Sequence, residues 1–496
     1  MKLFKKLMSY FIALTMVLSL ATLLGGNVHA ADGTTTYTLT LTGTATGHTY
    51  EAYQVFTGDL SGNTLSNVQW GSGVKWTGTE TAAQIAEKLS NKTMSLEDLT
   101  NKLSGENPKL SLTSPANTVE SSEGSTVIDG LAAGYYLVKD QDGTQDGKSD
   151  AYTKFIVQVV GNTEAKIKSD VPTVEKKVKD TNDSTGATSD WQDSADADIN
   201  DDVQYQITGT MPDNIVDYTT YKYVFTDTMS KGLTYNANTT TIKIGNTDVK
   251  SSFKEVVTNN TDGSTTVTWT CDNLKGISGV TLDKDTKVVV AYSAKLNENA
   301  VIGAAGNPNT VNLTYSNNPN KGGEGKTGKT PDDKNIVFTY KTVVNKVDQN
   351  QKSLKGAAFK LEKKQSDGTY TEVKSFTAGE ETTFEFTGLD DGNYRLTETT
   401  TPAGYNTIAP IEFTISAEHD TESPDPKLTK LSGNVTSGEA SFTADTNAGS
   451  LTTNVVNKKG SILPSTGGMG TTLLYVAGGI LVACAAAYVV LNKKRA

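Results

Sequence analysis

Gly388-Leu-Asp-Asp-Gly-Asn-Tyr394-Arg-Leu-Thr-Glu398 is echoed far upstream by Gly130-Leu-Ala-Ala-Gly-Tyr-Tyr136-Leu-Val-Lys-Asp140. Each is a glycine-flanked turn followed by a strand, since alternate residues such as Tyr394, Leu396 and Glu398 point to one face. Two separated segments sharing a strand and its turn favour repeated modules over one large enzyme domain. The surrounding chain agrees. Tyr37-Thr-Leu-Thr-Leu-Thr, Phe155-Ile-Val-Gln-Val-Val and Thr286-Lys-Val-Val-Val-Ala-Tyr292 alternate and are rich in β-branched and aromatic residues. Gly, Asn and Asp clusters separate them, as turns require. A helical patch is expected around Thr81–Leu89 and another around Ser95–Leu103. The class is therefore all-β, with tandem antiparallel immunoglobulin-like β-sandwiches.

A chain of 496 residues accommodates several such units. The divisions predicted are a signal peptide at 1–30, then sandwiches at 31–169, 170–342 and 343–460, and a terminal segment at 461–496. The first has Lys2, Lys5 and Lys6, an apolar stretch from Phe11 to Leu24, and a small-residue cleavage site at Val28-His29-Ala30. Within the sandwich at 170–342, Asn317 to Lys334 reads as an exposed excursion. A net charge of −11 disfavours nucleic acid as a partner. Of two cysteines, Cys484 lies in the C-terminal apolar run and Cys271 stands alone, so no internal disulfide is expected. With only His48 and His419 beyond the signal, no metal site, cofactor or histidine-based triad is expected. The acidic run Asp193 to Asp202 lacks the glycine and terminal glutamate of a calcium loop and reads as a solvated turn.

Near the end stands Leu463-Pro464-Ser465-Thr466-Gly467, then an apolar run from Thr471 to Leu491, then Asn492-Lys493-Lys494-Arg495-Ala496. The run is about 20 residues long, the length a membrane-crossing helix needs, and the basic tail would stay on the cytoplasmic side. Pro464 lacks a backbone donor and favours the extended form that enters an enzyme groove. This order resembles the sorting signal read by sortases, the cysteine transpeptidases of Gram-positive bacteria. The resemblance implies cleavage after Thr466, a thioester on the enzyme, and capture of the acyl group by an amine.

Val344 and Lys346, with Asp348, alternate on one predicted strand, and Val455 and Asn457 on another. Tyr394-Arg-Leu-Thr-Glu398-Thr-Thr-Thr-Pro402-Ala-Gly404-Tyr405 lies between them. It resembles the glutamate box of the collagen adhesin's B-type repeats and of pilin C-terminal domains. In that family a lysine amine condenses with an asparagine amide and ammonia leaves; the matching positions are Lys346, Asn457 and Glu398. Burial disfavours the lysine's charge and frees its lone pair, and keeps the glutamic acid able to shuttle protons. Taken singly, each residue reads as a solvated sheet or turn group. A second set is Lys176, Asp227 and Asn309, similar to the middle domain of sortase-assembled major pilins, with Lys177 as a rival lysine if the strand is bulged. In the first sandwich Asp140 fills the slot of Glu398, but no lysine lies between the cleavage site and Lys75, and no cross-link is expected there.

The resemblance to major pilins implies a structural shaft subunit whose only chemistry is single-turnover self-crosslinking. Its partners would be sortase, identical subunits, peptidoglycan, minor pilins and a host ligand, at the cell wall. The linking lysine is assigned to Lys168, with Lys166 and Lys177 as alternatives, in a region that lacks the family's Tyr-Pro-Lys-Asn element. The alternative is a monomeric wall-anchored adhesin of the same fold.

Overall fold

The computed structural model describes residues 35–460 and 469–493, apart from 92, 95–97, 100–101, 103–108, 145–147, 149, 151, 168–170 and 319–326. The predicted signal peptide, the Leu463–Gly467 pentapeptide and Lys168 lie outside the described residues. Strands dominate, as the alternation predicts. The helix Ala82–Ser90 begins with a capping box between Thr81 and Gln84 and buries Ala82, Ile85, Ala86 and Leu89.

Sheets come in facing pairs. Toward the N-terminus, the strands Thr163–Lys166, Tyr37–Thr42 and Ser125–Leu131 form one sheet. A second is built around Thr49–Ser61 and Gly134–Asp140. Next, a five-stranded sheet carrying Val174–Val178, Asp202–Thr210 and Lys287–Leu296 packs on a larger one carrying Asn307–Ser316, Tyr223–Met229 and Thr265–Cys271. Their shared core includes Tyr205, Ile207, Phe225, Trp269, Val290 and Leu313. The last pair sets Thr383–Leu389, Tyr340–Asp348 and Ser450–Asn457 against a sheet centred on Ala358–Lys364, Gly392–Thr400 and Ile411–His419. Phe359, Phe384, Phe386, Tyr394 and Phe413 fill the space between them.

Pairing is mostly antiparallel, with a departure that matters. Tyr340–Asp348 runs parallel to Ser450–Asn457, with Lys346 opposite Val455 and Asp348 opposite Asn457. Tyr37–Thr42 likewise runs parallel to Thr163–Lys166, and Ser194–Asp196 to Asp333–Phe338. Parallel neighbours need a long crossover, so each of these joins chain segments far apart in sequence.

Several local expectations are corrected. The expected exposed excursion from Asn317 to Lys334 contains the strand Thr327–Lys329 and the start of Asp333–Phe338, both paired with Asn307–Ser316. Asn318 is buried and donates to Asp142 Oδ1. Asp193 to Asp202 is no solvated turn: Ser194–Asp196 is a strand, and Asp193 and Asp196 are buried. Asp348 turns off the inward face and accepts the N–H groups of Asn350 and Lys352. Finally, Met469–Lys493 is a helix whose described side chains, 474–488, are exposed. Among the described residues no helix is long and apolar enough to cross a membrane. The crossing expected over Thr471–Leu491 is not found among them; the helix there runs Met469–Lys493, with side chains described for 474–488 alone.

Candidate functional site

In the middle sandwich, strand alternation sends Lys176 and Val178 inward from one sheet. Asp227 and Asn309 come inward from the other. All three polar side chains are 0% exposed. Lys177 takes the opposite face, where it pairs with Asp193 and Glu175, so the strand is not bulged and Lys176 is the interior lysine. The Lys176 Nζ lies 2.6 Å from Asp227 Oδ1 and donates to the Tyr292 hydroxyl at 2.7 Å. That hydroxyl donates to Asp227 Oδ2 and accepts from Asn309 Nδ2 at 2.8 Å. Asn309 Oδ1 has no hydrogen-bond partner. The rings of Tyr205 and Tyr292 stack with centroids 5.3 Å apart and flank the amine at 5.2 and 5.1 Å. Burial lowers the Lys176 pKa, against the opposing pull of Asp227.

The C-terminal sandwich arranges the same types differently. Lys346 and Asn457 stand on neighbouring parallel strands of one sheet, and Glu398 reaches across from the other. Lys346 Nζ donates to Val455 O at 2.9 Å and lies 3.5 Å from Glu398 Oε1. Asn457 Nδ2 donates to Glu398 Oε2 at 3.0 Å and to Asn406 O at 2.6 Å. Glu398 thus faces the amine with one oxygen and the amide with the other. Burial lowers the Lys346 pKa, and Glu398 opposes the shift.

A buried lysine whose charge burial disfavours, set beside a primary amide and a carboxyl group, can form an amide bond and expel ammonia. In the first sandwich the equivalent carboxylate is engaged otherwise. Asp140 accepts His48 Nδ1 at 2.9 Å and the Thr153 N–H at 2.6 Å, and its hydrogen bond raises the His48 pKa. The buried lysine there, Lys139, pairs with Glu51 at 3.0 Å. Among the alternative linking lysines, Lys166 is exposed at the end of Thr163–Lys166.

Sequence reasoning missed two groups. Tyr292 shares the inward alternation of Val288 and Val290, which reads as core packing. The acidic residues between the middle and C-terminal sandwiches were the other. Lys363 is inserted among Asp183, Asp198 and Asp390. Burial alone would lower its pKa, but Asp390 and Asp198 outweigh that and raise it. Asp180, Asp196 and His419 also bring possible ligand atoms within 4.8 Å of one another, as do Asp183, Asp198, Asp201 and Asp390.

Comparison with known proteins finds matches to two of these units. Residues 199–319 match the Gram-positive pilin backbone subunit 2, Cna-B-like domain. Residues 341–430 match the SpaA prealbumin-like fold domain. The trypsin-resistant surface T6 protein of Streptococcus pyogenes serotype M6 is 27% identical over 261 residues, 48% of this chain and 44% of the relative. The match thus spans less than half of that relative's length. The solved T6 backbone pilin of serotype M6 Streptococcus pyogenes superposes with a TM-score of 0.51 at 18% identity, covering 86% of this chain and 99% of that one. The full-length major pilin SpaD of Corynebacterium diphtheriae gives 0.47 at 20% identity, covering 87% and 99%.

Proposed function

We propose that this chain, which joins a Gram-positive pilin backbone domain to a SpaA-type prealbumin-like domain, is the shaft subunit of a covalently polymerised cell-surface pilus. The observation that carries the reading is a recurrence. Two successive sandwiches each bury a lysine, an asparagine and a carboxylate together, with the lysine wholly out of water. In each, the lysine amine attacks the asparagine side-chain carbonyl carbon, ammonia leaves, and the carboxyl group moves the proton between the two nitrogens. Each bond forms once, so the chain has no turnover and is not an enzyme. Lys176–Asn309 would clamp the two sheets of the middle sandwich, and Lys346–Asn457 the first and last strands of the C-terminal one.

Assembly is the second half of the proposal. Sortase cuts after Thr466 in the Leu463–Gly467 signal, and the Thr466 carbonyl passes to Lys168 of the next identical subunit. The last subunit passes to peptidoglycan, and the product is secreted and held at the cell wall. Cell-wall extracts then contain a ladder of high-mass species that Lys168→Ala collapses and that reappears when the lysine is restored. A single wall-linked band in the wild type would instead identify a monomeric anchored adhesin.

A further inference from the structure

The two buried triads differ by one methylene, and the structure shows what makes up the difference. In the C-terminal sandwich the glutamate spans the site by itself, because Glu398 Oε2 takes the Asn457 amide directly at 3.0 Å. In the middle sandwich the carboxylate is an aspartate. Its Oδ1 is engaged by Lys176 Nζ and its Oδ2 by the Tyr292 hydroxyl. Asn309 Nδ2 meets the phenol oxygen at 2.8 Å, and no described hydrogen bond joins it to Asp227. One hydroxyl therefore contacts the attacking nitrogen, the leaving nitrogen and the carboxylate at once. No described hydrogen bond places a phenol between Glu398 and Asn457.

We propose that Tyr292 is a catalytic residue of the middle-domain bond, delivering the proton to the departing Asn309 nitrogen and supplying the reach that the shorter Asp227 lacks. This rests on the bond-forming reading above and assigns it a further group. Attack of the neutral Lys176 amine on Asn309 Cγ forms the new C–N bond and leaves a surplus proton on Nζ. That proton passes to Asp227. As Cγ becomes tetrahedral, the Nδ2 lone pair is freed and the amide nitrogen changes from donor to acceptor. Tyr292 then turns its O–H from Asp227 to Nδ2 and gives up that proton, and Asp227 re-protonates the phenolate. The Cγ–Nδ2 bond breaks and ammonia departs. One proton has moved from Nζ to Nδ2, and Tyr292 and Asp227 end as they began. The hydroxyl sits in a dry site on a ring held by stacking against Tyr205, so little reorganisation is needed.

The test follows each bond separately in the full chain, by peptide mass mapping at intervals after synthesis. The C-terminal bond, to which no described hydrogen bond brings a phenol, is the internal clock. Tyr292→Phe keeps the ring and removes only the oxygen. It should slow the Lys176–Asn309 bond by roughly 10²-fold, the range of a general acid's contribution, while Lys346–Asn457 forms at the wild-type rate. Asp227→Glu combined with Tyr292→Phe should recover much of the loss, because the longer carboxyl group then reaches the amide itself. Equal rates in wild type and Tyr292→Phe overturn the proposal. So does a slow Tyr292→Phe that Asp227→Glu fails to rescue, which would reduce the tyrosine to packing. If the wild-type chain carries no middle-domain bond at all, the bond-forming reading fails first, a result distinct from either.

Discussion

Replacing Asn457 with alanine removes the acceptor of the C-terminal bond while leaving its lysine and carboxylate in place. The bond closes a loop of roughly 110 residues, between Lys346 and Asn457, which in the chain-entropy account contributes about 4.7 kcal/mol. Further loss comes from the site itself. Lys346 stays wholly buried as a free amine beside Glu398, where the bond would have replaced an ionisable group with a neutral amide. A domain of this size has a melting entropy near 0.25 kcal/mol/K, so the melting temperature should fall by about 15–25 °C. Scanning calorimetry of the full chain reads the shift as one transition moving while the others stay. Intact mass supplies the independent check, since the variant, measured against the mass of its own sequence, shows one ammonia less missing than the wild type does. A variant that keeps the wild-type ammonia deficit, or that melts within a few degrees of wild type, would refute the assignment of Asn457 and the loop-closure reasoning with it.

The same variant should show a pH dependence that the wild type lacks. Burial sets the free Lys346 amine below its ordinary value of 10.5. Between that lowered value and 10.5 the unfolded chain holds a proton that the folded chain has shed, so stability rises with pH across the window and levels off above it. Denaturant melts from neutrality to pH 10.5 measure the slope; a flat profile would place the amine in water. Lys363→Ala strips the counter-charge from the buried Asp390 and the half-buried Asp198 between two sandwiches. It should cost about 3–5 kcal/mol, seen as a lowered chemical-denaturation midpoint. No loss would mean that the cluster is solvated.

Much of both triads was legible because a strand's period of two is strict. Once Lys176 and Val178 are inward, Lys177 is outward, and Asn309, Val311, Leu313 and Tyr315 share one face without further information. Alternation is silent about which strands become neighbours. The parallel pairing that sets Asp348 opposite Asn457 is a property of the crossover and not of either strand. Nor does alternation separate a phenol that packs from one that conducts a proton, which is why Tyr292 passed as core. The acidic run at Asp193 to Asp202 misled for a related reason. Its burial is created by Lys363, Asp390 and His419, all supplied from the distant C-terminal sandwich.

The parallel register of Tyr340–Asp348 and Ser450–Asn457 has a mechanical consequence. Tension arriving through the segment before Tyr340 and leaving after Asn457 enters and exits along two adjacent strands. A covalent bridge from Lys346 to Asn457 would carry that tension straight across, so the roughly 110 residues looped between them feel no stretch. Drawn out in a single-molecule trap, such a subunit would lengthen only by its connecting segments, and the sandwich would ride beside the taut thread like a bead sewn to it.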